Sequence, residues 1–167
     1  MPSQPAVHGR FSQTKKIVGL SRPLYSRGTF ALLPGKGLIW RTLEPINAVV
    51  VLTPKGVFSL DHQSSHRLAS GTEALALMNG LLEGNFKALE RSFMVKRESM
   101  TDGWSLVLVP QRGALAEVFK SITAQGASFV QKADLTEVSG DETEVRFSAV
   151  RPGAGPLAQA EEALLEP

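Results

Sequence analysis

The sequence predicts a mainly β protein with short helices, built on a curled antiparallel sheet. Three observations lead to this prediction. Apolar and β-branched runs recur at intervals of about ten residues, turns containing Gly and Pro separate them, and helical periodicity is concentrated in one segment. A chain of 167 residues with 43% hydrophobic and 20% charged side chains is typical of one compact domain with its own core.

Ten strands are expected, and the turns between them, such as Pro54-Lys55-Gly56, suit hairpins in a meander. In one strand Val145 and Phe147 alternate with polar residues, which gives a core face and a water face. The run 48–52 is apolar on both faces and therefore favours a sheet that curls over on itself. The expected strands cover residues 7–19, 25–33, 37–43, 46–53, 56–61, 91–98, 103–109, 117–124, 127–138 and 142–150.

The helical segment should run from Thr72 to about Glu90, with Ser70 or Thr72 as its N-cap. Gly80 and Gly84 weaken it, each by roughly 1 kcal/mol relative to Ala, so two short pieces joined near Gly84-Asn85 are expected on the concave face of the sheet. A further short turn is expected over residues 112–117. The apolar stripe of the segment contains Leu75, Met78, Leu82, Phe86 and Leu89, widened by Ala74, Leu77 and Leu81.

This stripe is open to two interpretations. A helix interrupted by glycine over a curled sheet could act as a lid over an apolar cavity. A helix packed permanently on the sheet would show the same stripe, with the residues forming ordinary core.

Composition and charge exclude several classes of protein. The chain has no cysteine, which excludes disulfides, thiolate metal sites and a cysteine nucleophile. The longest apolar run, 48–52, is far shorter than the roughly 20 residues of a membrane-spanning helix. The formal net charge is only +2, and the cations are scattered, with Lys15-Lys16 and Lys96-Arg97 as the adjacent pairs, so nucleic acid is not an expected partner.

The ends of the sequence also carry expectations. Residues 1–5 are polar, so either the protein is cytosolic or a secretory leader has been removed. Residues 152–167 are first rich in Pro and Gly and then in Ala, Glu and Leu. We expect a single domain over residues 1–151 and a tail over residues 152–167.

No catalytic constellation is evident. Asp61, His62 and His66 are metal-type ligands, but their segment is expected to be a loop without function. Ser64, Ser65 and His66 do not make a triad by adjacency, and no G-x-S-x-G elbow occurs. Gly35-Lys36-Gly37 lacks the spacing of a phosphate-binding loop, and no carboxylate pair suits acid–base work. The sequence therefore predicts a protein that is not an enzyme and has no metal or cofactor.

A series of motifs resembles the periplasmic lipoprotein carriers of the LolA type and their LolA-like relatives. The series begins with Phe11-Ser-Gln and continues over about fifty residues in the family's order and spacing. Further matches in the later strands extend the resemblance from Val7 to about Val150. The matching stretches are Leu24-Tyr-Ser-Arg-Gly-Thr-Phe30, Gly37-Leu-Ile-Trp40, Pro45, Thr53-Pro-Lys-Gly-Val57, Phe93-Met-Val-Lys, Trp104-Ser-Leu-Val-Leu-Val-Pro110, Gly140-Asp-Glu-Thr and Phe147.

The resemblance implies an unclosed antiparallel β-barrel, or half-barrel, with an α-helical lid over an apolar cavity. It further implies a non-enzymatic periplasmic carrier, or chaperone, that takes the acyl chains of a lipoprotein or other lipid from an inner-membrane donor transporter to an outer-membrane acceptor. We expect the apolar cavity to be lined by Phe30, Leu38, Trp40, Val49, Val51, Leu75, Met78, Leu82, Phe86, Phe93, Trp104 and Leu106.

The sequence departs from the family at one position. The carriers have an Arg-Pro pair whose Arg closes the lid, and the matching residues here are Pro34-Gly35. The closing step of the standard carrier is therefore in question. The alternatives are a LolB-like outer-membrane acceptor, which also lacks that Arg, and a protein-binding adaptor with a permanently packed core.

Overall fold

The computed structural model describes residues 6–33, 36–61, 64–69, 77–78, 80–82, 84, 86–111 and 113–152. Its helices are α1 (Phe86–Leu89) and α2 (Ala114–Val118), and residues 77, 78 and 80–82 are also helical. The strands are β1 (Val7–Lys16), β2 (Leu24–Leu33), β3 (Gly37–Glu44), β4 (Ala48–Thr53), β5 (Gly56–Asp61), β6 (Ser64–Ala69), β7 (Phe93–Met100), β8 (Gly103–Pro110), β9 (Phe119–Gly126), β10 (Val130–Glu137) and β11 (Glu142–Pro152).

The described strands form one sheet in the order β6-β5-β4-β3-β2-β1-β11-β10-β9-β8-β7. Strands β2 to β6 and β7 to β11 form two antiparallel meanders. Strands β6 and β7 are the two edges, so the sheet is not closed. The prediction of a mainly β protein with an unclosed antiparallel sheet and short helices is confirmed.

All ten predicted strands are present, with ends that differ by a few residues. The loop predicted around residues 62–66 is wrong in part, because Ser64–Ala69 form β6 and His66 is the register partner of Ser59. Pairing with β5 satisfies the backbone of this polar stretch, which has no apolar alternation to mark it as a strand.

The helical segment is divided as predicted. Gly84 lies in a turn with φ of +73° before α1, a conformation that glycine adopts without steric cost. Helix α2 lies close to the predicted turn at residues 112–117. The predicted cap at Ser70 and Thr72 and the predicted tail beyond Pro152 lie outside the described residues.

By its contacts the chain divides into two compact units. The first comprises the chain up to Phe11, Arg27–Asn79 and the chain from Ser148, and the second comprises Ser12–Ser26 and Gly80–Phe147. Strands β1, β2 and β11 therefore each contribute residues to both units. The expectation of one domain over residues 1–151 stays a prediction.

In the first unit both faces of the sheet carry apolar side chains. Register partners on neighbouring strands share a face, so the strand pairing assigns each residue to one of the two faces. Leu38 on one face and Val51 on the other are 1% and 0% exposed. The face that we call the aromatic face carries Phe30, Leu32, Leu38, Trp40, Val50 and Leu52. The opposite, aliphatic face carries Thr29, Ala31, Leu33, Ile39, Arg41, Val49 and Val51.

In the second unit one face carries most of the core. Leu106 and Leu108 of β8 are fully buried and lie opposite Ala124 and Ile122 of β9. The same face continues through Ala133 of β10 to Val145 and Phe147 of β11. Strand β11 thus has the alternation that the sequence predicts, with Arg146 exposed between these buried residues.

Candidate functional site

Three aromatic rings form a cluster on the first unit. The Phe11 and Trp40 rings stack with centroids 3.8 Å apart and planes inclined by 20°. Phe30 lies 6.1 Å from Trp40 in a similar orientation. A Cβ atom on residue 9 would lie 2.5 Å from Cζ of Phe30, so Gly9 leaves room for that ring over β1. Phe11 and Phe30 are buried and Trp40 is half-buried, so the cluster presents one partly accessible aromatic side chain.

The register corrects one part of the predicted site. We expected Val49 and Val51 to share a face with Leu38 and Trp40. Val49 is the partner of Arg41, and Val51 is the partner of Ile39, which places both valines on the aliphatic face. Val50 and Leu52 lie on the aromatic face instead. Because side chains alternate along a strand, an assignment shifted by one residue exchanges the two faces.

In the second unit, helix α1 packs against the sheet through Phe86. The ring centroids of Phe86 and Trp104 are 4.6 Å apart with a tilt of 59°. The Cζ atom of Arg97 lies 5.3 Å from the Phe86 centroid, within the range of a cation–π contact. Trp104 is held in turn by its Nε1, which donates to the Ala127 carbonyl at 2.8 Å. Phe86 thus joins α1 to the sheet.

The residues before α1 also pack tightly. A Cβ atom on Gly80 would lie 2.6 Å from Cδ2 of the buried Leu89. We expected Gly80 only to weaken the helical segment, whereas the structure shows that its lack of a side chain admits Leu89. Leu81 and Leu82 are buried as well, and Met78 is half-buried.

The predicted lining residues differ in exposure, and their grouping into one apolar cavity stays a prediction. An apolar ligand can reach the half-buried residues without disrupting a buried core. The buried ones are Phe30, Leu38, Val51, Leu82, Phe93 and Leu106, and the half-buried ones are Trp40, Val49, Met78, Phe86 and Trp104. Leu75 lies outside the described residues, as does Pro34, the position of the missing arginine.

A cavity of about 340 Å³ lies in the first unit. It opens on the aliphatic face, because Thr29, Ala31, Ile39 and Arg41 belong to that face. Sequence analysis missed this site, since its basic residues come from strands that are distant in the chain. The alternation of His8 and Arg10 around Gly9 was the available signal. The lining residues are His8, Gly9, Arg10, Thr29, Phe30, Ala31, Ile39, Arg41, Ala149 and Arg151.

The metal-type residues noted in the sequence fall where side chains are not described. The side chains of Asp61, His62 and His66 lie outside the described part of the structure. Among the side chains that are described, no three His, Asp or Glu residues are grouped so that they could hold a metal ion. None of the described helices is long and apolar enough to cross a membrane.

Comparison with known proteins gives structural matches. No protein-family model and no curated protein matches the chain. A LolA superfamily protein of Nitrosomonas europaea aligns with a TM-score of 0.51 at 11% identity, over 92% of this chain and 88% of that one.

Two further structures align with lower scores. A domain from Vibrio parahaemolyticus, described as an outer membrane lipoprotein-sorting protein domain, has a TM-score of 0.48 at 10% identity, over 98% of this chain and 92% of its own. MucB in its complex with MucA from Pseudomonas aeruginosa has a TM-score of 0.49 at 14% identity, over 96% of this chain and 56% of the other.

At these identities structural similarity establishes the fold alone. The alignment with the Nitrosomonas protein spans nearly the whole of both chains, and the open antiparallel sheet with short helices agrees with the motifs noted in the sequence. The chain therefore has a LolA-like fold.

Proposed function

We propose that this protein is a non-enzymatic carrier that binds the acyl chains of a lipoprotein or other lipid at an apolar site. In this proposal it works in the periplasm, receives its cargo from an inner-membrane transporter and passes it to an outer-membrane acceptor. The LolA-like fold supports the class of function, and the cargo and partners follow from the resemblance of the sequence motifs.

The contact between Phe86 and Trp104 is the observation that carries the proposal. Both rings are half-buried, and α1 has only four residues and follows the turn at Gly84. A helix this short has little stability of its own. Movement of the Phe86 ring away from Trp104, while the buried Leu89 keeps α1 in place, would uncover an apolar surface beside the buried Leu106.

Burial of the apolar cargo in the protein accounts for binding and is compatible with release of the cargo. Each methylene group removed from water contributes roughly 0.8 kcal/mol, so a long acyl chain needs no polar partner. An affinity spread over many weak contacts suits a protein that must also give up its cargo.

Lipid extraction and titration test the proposal together. The protein would be purified from an envelope fraction and measured by native mass spectrometry, and the delipidated protein would be titrated with a fluorescent fatty acid. We expect a co-purified acylated molecule, saturable probe binding and a loss of affinity of tenfold or more in Phe86→Glu, which places a charge on the ring position that contacts Trp104. Lys87→Glu introduces the same side chain at an exposed position of α1 and should bind normally.

Two results would contradict the carrier function. One is a lipid-free native mass together with no probe binding by the wild-type protein. The other is equal binding by the wild-type protein and Phe86→Glu, which would remove helix α1 from the site. Leu38→Glu is a poor probe, because Leu38 is fully buried and a charge there would disturb folding.

A protein-binding adaptor is the second candidate, and exposed apolar side chains of the second unit favour it. Val18, Leu24 and Tyr25 at the β1–β2 connection are 68%, 52% and 67% exposed. A Cβ atom on Gly140 would lie 3.1 Å from Cγ2 of Val18, so the β10–β11 turn borders the same area. Such patches commonly mark protein contacts. Capture of a defined partner that Tyr25→Ser abolishes, without any lipid binding, would favour the adaptor.

A further inference from the structure

Four basic side chains line the cavity on the aliphatic face of the first unit. His8 and Arg10 come from β1, Arg41 from β3 and Arg151 from β11. Arg41 is the register partner of Thr29 on β2, which adds a hydroxyl group to the same wall. The cavity thus collects three arginines and a histidine from strands that are far apart in the sequence.

The described residues that line the cavity include three arginines and no carboxylate. Elsewhere in the described chain arginines pair with acidic groups, as Arg27 does with Glu44 and Arg146 with Glu144. Arginines that share a cavity without a carboxylate repel one another, and an anion placed between them removes that repulsion.

The backbone of β11 is unusual at the same place. Ala149 lines the cavity and has φ of +51°, the one positive value at a non-glycine residue in the described chain. This conformation is sterically costly for alanine, and residues held in such conformations concentrate at binding sites. It interrupts the extended strand two residues before Arg151.

We propose that this cavity binds a phosphate group through Arg10, Arg41 and Arg151. The planar guanidinium group matches a pair of phosphate oxygens and binds them with charge-assisted hydrogen bonds. Thr29 supplies a hydroxyl donor, and Ala31 and Ile39 form an apolar part of the wall. At about 340 Å³ the cavity exceeds a bare phosphate ion, so the anion can belong to a small metabolite or to a lipid head group. Arg41 and Thr29 lie on the opposite face from Trp40, and the site does not depend on the carrier function.

Calorimetric titration at low ionic strength tests the inference with three probes. These are inorganic phosphate, a monoacylglycerol phosphate and the uncharged monoacylglycerol with the same acyl chain. We expect saturable binding of at least one phosphate-bearing probe. Arg41→Gln should weaken it tenfold or more, Arg41→Lys should weaken it less, and added salt should weaken it in the wild-type protein. Arg27→Gln removes an arginine of the same unit outside the cavity and should have no effect.

The outcomes separate the two sources of the anion and the two proposals. Binding of inorganic phosphate indicates a free anion, and binding of the acylated phosphate alone indicates a head group. No binding of either phosphate probe, or an unchanged phosphate affinity in Arg41→Gln, would overturn the anion site. Equal binding of the charged and uncharged lipids would overturn it when inorganic phosphate does not bind. Phosphate binding by a protein that binds neither the monoacylglycerol nor the fluorescent fatty acid would retain the site while contradicting the carrier. If Arg41→Gln alters the circular dichroism spectrum, the exposed Arg10→Gln takes its place.

Discussion

Gly28 lies at a register shift, where the backbone of β3 comes close to β2. A Cβ atom at this position would overlap the carbonyl oxygen of Arg41, and that oxygen belongs to backbone rather than to a side chain that could rotate away. The strand irregularity between Arg27 and Gly28 is therefore tied to the absence of a side chain.

Replacement of Gly28 should consequently destabilise the protein. We expect Gly28→Ala to lower the free energy of unfolding by about 1–3 kcal/mol, the usual cost of overpacking, as measured by urea denaturation. Ser12→Ala, at an exposed position of β1, should leave the midpoint nearly unchanged. A Gly28→Ala variant as stable as the wild-type protein would show that β2 and β3 can separate freely here.

The neighbouring Arg27 and Glu44 form an exposed ion pair whose contribution to stability depends on pH. Arg27 Nη2 donates to Glu44 Oε1 at 2.7 Å, and this hydrogen bond, followed by the charge of Arg27, lowers the pKa of Glu44 from its usual value. The contribution of the pair is present above the pKa of Glu44 in the unfolded chain and disappears as the pH falls through the folded pKa. Solvent screening keeps that contribution small.

An NMR titration of the Glu44 side chain measures this effect directly. The pKa of Glu44 should rise toward its ordinary value in Arg27→Gln. The two proteins should differ in thermal midpoint only slightly near pH 7 and not at all below the folded pKa of Glu44. An unchanged Glu44 titration in the variant would mean that the pair does not persist in solution.

At the scale of elements, the joint before α1 depends on backbone conformation. Gly84 has φ of +73° and no atom within 4 Å of the position that a Cβ would occupy. A substitution therefore acts through the backbone alone. Gly84→Ala should cost about 1 kcal/mol, and Gly84→Asn should cost less because asparagine tolerates this conformation better. Equal stability of Gly84→Ala and wild type in urea would mean that the turn is not maintained.

Helix α1 contacts the sheet through the ring of Phe86, which packs against Trp104. Phe86→Ala removes a half-buried ring and should lower the free energy of unfolding by roughly 1–2 kcal/mol, with Trp104 fluorescence shifted to longer wavelength as water reaches the indole. Lys87→Ala, on the exposed side of the same helix, should change neither quantity. Unchanged Trp104 emission in Phe86→Ala would place the ring away from the indole.

The elements were far more predictable than the contacts between them. Turns containing glycine and proline marked ten strands, and Gly84 marked the division of the helical segment. Strand β6 was missed because Ser64, Ser65, His66 and Arg67 lack apolar alternation. Val49 and Val51 were assigned to the wrong face since register depends on pairing between strands. The basic cavity was missed for the same reason, as Arg10, Arg41 and Arg151 meet only once β1, β3 and β11 are placed in the sheet.

At the scale of the whole molecule, each unit contains one tryptophan, Trp40 in the first and Trp104 in the second. Strands β1, β2 and β11 each contribute residues to both units. Unfolding one unit would leave part of each of these strands without its pairing.

We therefore expect both units to unfold in one cooperative transition. Trp40→Phe and Trp104→Phe each leave a single reporter, and urea curves from each reporter should coincide with far-ultraviolet circular dichroism of the same variant. Different midpoints for the fluorescence and the dichroism of one variant would show that the two units unfold separately.

The central position of β1 and β11 has a consequence for folding. These are the first and last strands of the described chain, and they are neighbours in the middle of the sheet. Each meander can form from local contacts, whereas the β1–β11 pairing closes a loop of more than a hundred residues and has a high contact order. During synthesis β1 can pair with β2 early, but its other side stays an open edge until β11 has left the ribosome. The exposed side of β1 is then the place where a nascent chain of this protein is most vulnerable to aggregation.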